Sequence, residues 1–222
     1  TGARSVSMGY GAQALSADSI SVGTGAGAGS ITTGFRNIAI GTKAGTAVDG
    51  SDNVALGSTA GQTVIGNQNQ AIGDNAGKNV TGNWNVALGT AAGNNVSGDQ
   101  NQAVGDGSGR NVTGDWNVAL GTSAGNNVVG TQNQAFGDTA GTGVTGDNNY
   151  ALGSIAGNTV IGNQNQAFGD TAGNTVTGSY NLAFGALSGS NVLGDQNQAV
   201  GDSAGTNVTG SVNTAFGSTA GQ

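Results

Sequence analysis

Glycine returns every sixteen residues from Gly41 to Gly217, through Gly57, Gly73, Gly89 and their successors. Alanine stands two residues before each of these glycines, from Ala39 to Ala215, and asparagine four before, from Asn37 to Asn213. The position directly before the glycine is always Ile, Leu, Val or Phe. A fixed period of this length means one small structural unit stacked many times. Composition alone, with 45 glycines in 222 residues and 8% charged residues, points instead to a low-complexity or disordered chain. A disordered tract has no physical reason to hold four residue types in fixed columns over twelve copies.

Residues 85–100 serve as one coil. A first strand over 85–88 carries Asn85, Ala87 and Leu88, and Gly89 begins a turn. A second short strand over 94–97 carries Val96, and Gly98 closes the coil. Short strands bounded by glycines at constant offsets predict a β-solenoid. The composition disfavours a helix, because three glycines per sixteen residues would cost on the order of 3 kcal/mol per coil against alanine. The fold expected is therefore all-β, a parallel solenoid of about fourteen short coils, its stability growing with each coil added. One repeat domain is expected over 1–222. Within it, 1–33 uses fourteen-residue-type coils and a junction, because Gly9 and Gly23 are fourteen apart and Gly23 and Gly41 eighteen. Residues 34–222 keep to sixteen.

Strand alternation puts Asn85 and Ala87 on one face and Val86 and Leu88 on the other. Both faces are largely apolar, so both are expected to be covered. A thin roll covers only one of them, and a symmetric homo-oligomer is the simplest source of the second cover. The period does not decide which face points inward.

A period of thirty-two overlies the first. The motif QNQAxGD places Gln70 with Asp74, Gln102 with Asp106, Gln134 with Asp138, Gln166 with Asp170 and Gln198 with Asp202. The coils between carry Val, Tyr, Leu or Thr where these carry Gln. A glutamine on a covered face needs a hydrogen-bond partner, supplied by the following Asp or by a neighbouring chain. The main reading is a set of register-setting polar residues; a ligand-binding row is the other.

The residue inventory opposes catalysis. Histidine and cysteine are absent, which removes the usual nucleophiles and bases, disulfides and thiolate metal sites. The Asp row repeats every second coil, roughly 10 Å apart at strand spacing, too far for two carboxylates to share a substrate atom. These Asp residues are expected to cap turns through backbone N–H groups. No enzyme activity, cofactor or metal is expected, and the GGxGxD pattern of calcium-binding rolls is missing. A net charge of −7 with five cationic residues opposes a nucleic-acid surface. No apolar run is long enough to cross a membrane. Ice binding would need a flat threonine array, and Thr42, Thr90 and Thr122 are interrupted by Asp in alternate coils.

Trp84, Trp116 and Tyr180 share one column next to a glycine-bounded turn. They are candidates for surface contact, or for covering the edge of a groove between chains.

The strands SVSMG at Ser5–Gly9, SISVG at Ser19–Gly23, NIAIG at Asn37–Gly41 and NVALG at Asn53–Gly57 closely resemble the head repeats of trimeric autotransporter adhesins, the YadA-like family. The likeness runs over essentially the whole chain. It implies a left-handed parallel β-roll, with three chains packed about one axis. It also implies export to a bacterial outer surface, an anchor beyond this sequence, and adhesion to host matrix, cells or abiotic surfaces. The matching positions, such as Asn37, Ala39, Ile40 and Gly41, are structural, and no ligand-binding residue carries over. Typical head repeats run near fourteen residues, whereas most coils here run sixteen and alternate in pairs. The expected function is that of a rigid, multivalent adhesive head. A segment of a trimeric phage fibre, or a spacer without binding of its own, is the alternative.

Overall fold

The structure is a computed structural model that describes residues 2–29 and 34–221. The chain divides into two compact units, Thr1–Val112 and Thr113–Gln222.

In the first unit, seven three-residue strands pair in chain order, all parallel. They are Val6–Met8, Ile20–Val22, Ile38–Ile40, Val54–Leu56, Gln70–Ile72, Val86–Leu88 and Gln102–Val104. The register follows the glycine spacing. Val6 pairs with Ile20, Ile20 with Ile38 and Ile38 with Val54, offsets of fourteen, eighteen and sixteen. The junction expected within 26–33 lies partly outside the described residues, at 30–33. A second, narrower sheet stacks Val48–Asp49, Val64–Ile65, Val80–Thr81 and Val96–Ser97, again in parallel.

The second unit repeats the plan. Its long sheet holds Val118–Leu120, Gln134–Phe136, Tyr150–Leu152, Gln166–Phe168, Leu182–Phe184, Gln198–Val200 and Thr214–Phe216. Every neighbouring pair is parallel and offset by sixteen. Val160–Ile161, Val176–Thr177 and Val192–Leu193 form the narrow sheet, extended by bridges at Thr145 and Thr209. Each unit is thus an all-β, all-parallel solenoid, the class that the repeats predict.

Two alanines and a valine fill the coil of residues 85–100, with serine in place of one alanine at Ser21, Ser108 and Ser188 in other coils. Ala87 is 4% exposed, Ala92 0% and Val96 4%. The alanine face therefore points inward, and Val86 and Leu88 point out. Backbone packing sets the size limit. A Cβ on Gly93 would lie 2.7 Å from the Ala87 Cβ, at a φ of +58°. A Cβ on Gly137 would lie 2.4 Å from the Gly153 carbonyl oxygen of the next coil. Along the alanine columns the interior admits methyl-sized groups only, so each coil buries little apolar area and depends on the hydrogen bonds to its neighbours.

The strands are shorter than the pattern predicts, starting at Val86 and Val96 rather than at 85 and 94. Asn85 gives its backbone N–H to a side chain, Asn69 Oδ1 at 3.0 Å. Asn95 has a φ of 59°, outside the β region. The sixteen-residue coils of the first unit turn at three corners of this kind. Trp84, Ala91 and Asn95 have φ values of 56°, 55° and 59°, where an ordinary side chain costs about 1–2 kcal/mol. The stack offsets that cost. Their N–H groups donate to the carbonyls of Asn67 at 3.0 Å, Asp74 at 2.8 Å and Lys78 at 2.8 Å, all in the preceding coil.

Candidate functional site

The asparagine column forms a buried ladder. Asn85 Nδ2 donates to the Gly98 carbonyl at 2.9 Å within its own coil and to Asn69 Oδ1 at 3.0 Å in the coil before. Its own Oδ1 accepts from the backbone and side chain of Asn101 at 2.9 and 3.1 Å. In the second unit the pattern runs from Asn117 to Asn213. A buried amide with every group paired is a strong structural device. These residues are thus engaged in holding coils together and are closed to a ligand.

The outer face of each long sheet is different. It carries no charged side chain and much exposed apolar surface. Ile40 is 43% exposed, Leu120 36%, Leu152 44% and Phe184 56%. In the second unit the face carries an aromatic ladder. Phe136 and Tyr150 ring centroids are 5.6 Å apart, Tyr150 and Phe168 5.2 Å, and Phe168 and Phe184 6.0 Å. The rings come from two columns, so the ladder zigzags across the sheet and is hidden from a column-by-column reading. Beside it an open groove of about 520 Å³ is lined by Trp116, Gln134, Asn148, Tyr150, Gln166 and Phe168, among others.

The five glutamines Gln70, Gln102, Gln134, Gln166 and Gln198 are exposed on these outer faces. No hydrogen bond joins any of them to the following Asp among the described residues. The Asp carboxylates turn to the corners instead. Asp74 accepts from the Ser58 backbone N–H at 3.0 Å and Asp106 from that of Thr90 at 3.1 Å. Asp138 and Asp170 accept from the hydroxyls of Thr139 and Thr171 at 3.3 and 3.5 Å. No group of three or more acidic residues able to hold a metal occurs among the described residues.

Trp84 in the first unit, and Trp116 and Tyr180 in the second, each stand at the corner that precedes a long-sheet strand, and each is about half exposed. All three have positive φ, 56°, 55° and 62°. Trp84 lies along the stack and its indole N–H donates to Gln68 Oε1. In the same column Arg36 Nε donates to Asp52 Oδ1 at 2.5 Å, with its Nη2 on Oδ2 at 2.8 Å. The guanidinium hydrogen bonds hold the Asp52 carboxyl below the ordinary carboxylate range and raise Arg36 in turn. Arg36 also sits 4.4 Å above the Phe35 ring centre. Arg4 and Asp18 make the same fork, both bonds 2.7 Å, one coil apart in the fourteen-residue region. These pairs escaped the motif reading, although their spacing of one coil is visible once the columns are aligned.

No helix among the described residues is long and apolar enough to cross a membrane. No protein-family model matches the chain, and no curated protein matches it.

Proposed function

We propose that the chain is a head-type segment of a trimeric bacterial surface adhesin, acting through multivalent contact and without catalysis. One observation carries this reading: the outer faces of the long sheets are uncharged, rich in exposed apolar side chains and left uncovered by the chain itself. Exposed apolar patches of this extent mark association surfaces. In this reading the solenoid is a left-handed roll, and three copies close on one another through these faces about a common axis. The corners, with Trp84, Trp116 and Tyr180, then remain on the outside. Three copies of each corner let a weak contact hold a cell to matrix, to another cell or to an abiotic surface by avidity. The resemblance of the NxAxG strands to adhesin head repeats supports the same assignment, with exposure outside the outer membrane.

Light scattering on the folded chain tests the assembly. A mass of three times 21.2 kDa is expected, and a folded monomer overturns the reading. Adhesion of the triple variant Trp84→Ala, Trp116→Ala, Tyr180→Ala then tests the contact role. A large loss is expected at unchanged mass. Unchanged adhesion removes the corners from the binding role, and absence of adhesion in the native protein leaves a spacer or fibre segment.

A further inference from the structure

The outer face alternates in chemistry with a period of two coils. In the second unit the first outward column reads Val118, Gln134, Tyr150, Gln166, Leu182, Gln198 and, at the last strand, Thr214. Among the described residues the glutamine amides are exposed and carry no side-chain hydrogen bond, while Val118, Tyr150 and Leu182 at alternate levels are apolar and half-buried. We propose that this alternation is a register code read by a second copy of the same chain, which fixes how far one copy can slide along another. The inference rests on the association reading above and adds what that reading lacks, a reason for one axial alignment.

The occupant follows from the face itself. A covered glutamine needs both a donor and an acceptor, and another glutamine amide supplies both. The face has no charge, so an oppositely charged partner gains nothing there, and two copies of a chain with net charge −7 meet without like charges opposed. A surface that alternates amide and apolar levels every sixteen residues is matched best by a surface with the same alternation. The coil spacing makes every slip a whole number of coils. A slip of one coil sets the glutamines against Val, Tyr, Leu or Thr, none of which returns the paired donor and acceptor of an amide, and buries amide groups without partners, which is costly. A slip of two coils restores the match over the levels that still overlap, at the loss of two levels of contact. A polar residue at a single core position fixes register in coiled coils by the same logic.

The test changes the phase of the code while keeping the solenoid. Deleting residues 150–165 removes one coil and sets Gln166 directly after the Gln134 coil, so every level beyond it is out of phase with the native chain. Deleting residues 150–181 removes two coils and keeps the phase. Each deletion variant, carrying a distinct tag, is co-expressed with the native chain, and mixed oligomers are quantified by tandem purification. The two-coil deletion is expected to enter mixed oligomers at least about tenfold more often than the one-coil deletion, although it is the shorter chain. Each variant alone is expected to form an oligomer of its own, which shows that it folds. Equal mixing, preference for the one-coil deletion, or no mixing of either overturns the register code. A native chain that is monomeric in the same buffer overturns the association reading as well, so the two failures are told apart by the mass of the native protein.

Discussion

The side-chain amide of Asn133 donates to the Gly146 carbonyl at 2.8 Å, across thirteen residues of its own coil. The same amide reaches Asn117 Oδ1 at 3.1 Å, and Asn133 Oδ1 receives the Asn149 backbone N–H at 3.0 Å. One side chain therefore closes a coil and joins it to the coils on both sides. Asn133→Ala leaves the Gly146 carbonyl and the Asn149 N–H unpaired in a buried site, a loss of about 3 kcal/mol. Repeat arrays need not unfold in one step, so the measurement is amide hydrogen exchange. Faster exchange is expected at Asn149, with distant coils unchanged.

Opposite faces of one strand are expected to respond in opposite ways. Ala119 is 4% exposed, and a Cβ on Gly125 would already lie 2.7 Å from its Cβ. Ala119→Leu overpacks this interior and should cost about 1–3 kcal/mol or more, seen as a lower melting temperature. Leu120, next in the chain, faces out. Leu120→Ala should leave exchange protection within the coil nearly intact while weakening self-association, read as a mass that falls on dilution.

Ile155 has a φ of 58° and is 37% exposed. A β-branched residue is strained there, and its column holds Asn75 in an earlier coil at a φ of 57°. Asparagine tolerates this region far better. Ile155→Asn is expected to raise stability by about 1 kcal/mol, measured as increased resistance to thermal unfolding.

Asp52 predicts a pH effect with a definite sign. Its carboxyl is held below the unfolded value, chiefly by the Arg36 hydrogen bonds. The stabilisation is thus fully present above the unfolded carboxylate pKa of about 3.9 and is lost as pH falls through the folded one. The pair is exposed, so salt should reduce the effect. Carboxyl carbon shifts followed by NMR titration should place Asp52 below an ordinary aspartate, and Arg36→Ala should move it up. A titration unaltered by Arg36→Ala would count against the ion pair.

Much of the architecture was legible because the sequence offsets between glycines are the strand offsets. Gly41 and Gly57 are sixteen apart, and so are paired Ile38 and Val54. The pairing of Asn85 with Ala87 on one face also followed from alternation. Its direction did not, since a polar column beside an apolar one is normally read as outward. Ladder pairing reverses this by satisfying every amide inside. The left-handed corners were hidden for a similar reason. Trp84, Ile155 and Val212 oppose that geometry by propensity, and the coils above and below impose it. The destination of the glutamines was also hidden, because Asp74 lies four residues from Gln70 in sequence yet caps a corner.

The coil-to-coil hydrogen bonds within each unit have a mechanical consequence. They join positions one coil apart, such as Gly137 to Leu120 and Gly153 to Phe136, so they lie along the direction of stacking. A pull in that direction between the ends of either unit loads successive coils in series, and the outermost coil yields first. Each sixteen-residue coil released adds about 50 Å of slack chain, and the coil beneath it presents the same row of bonds as the one just lost. Such a segment gives way under tension by regular small steps, limiting the force passed along it, where a single cooperative domain would hold and then fail at once.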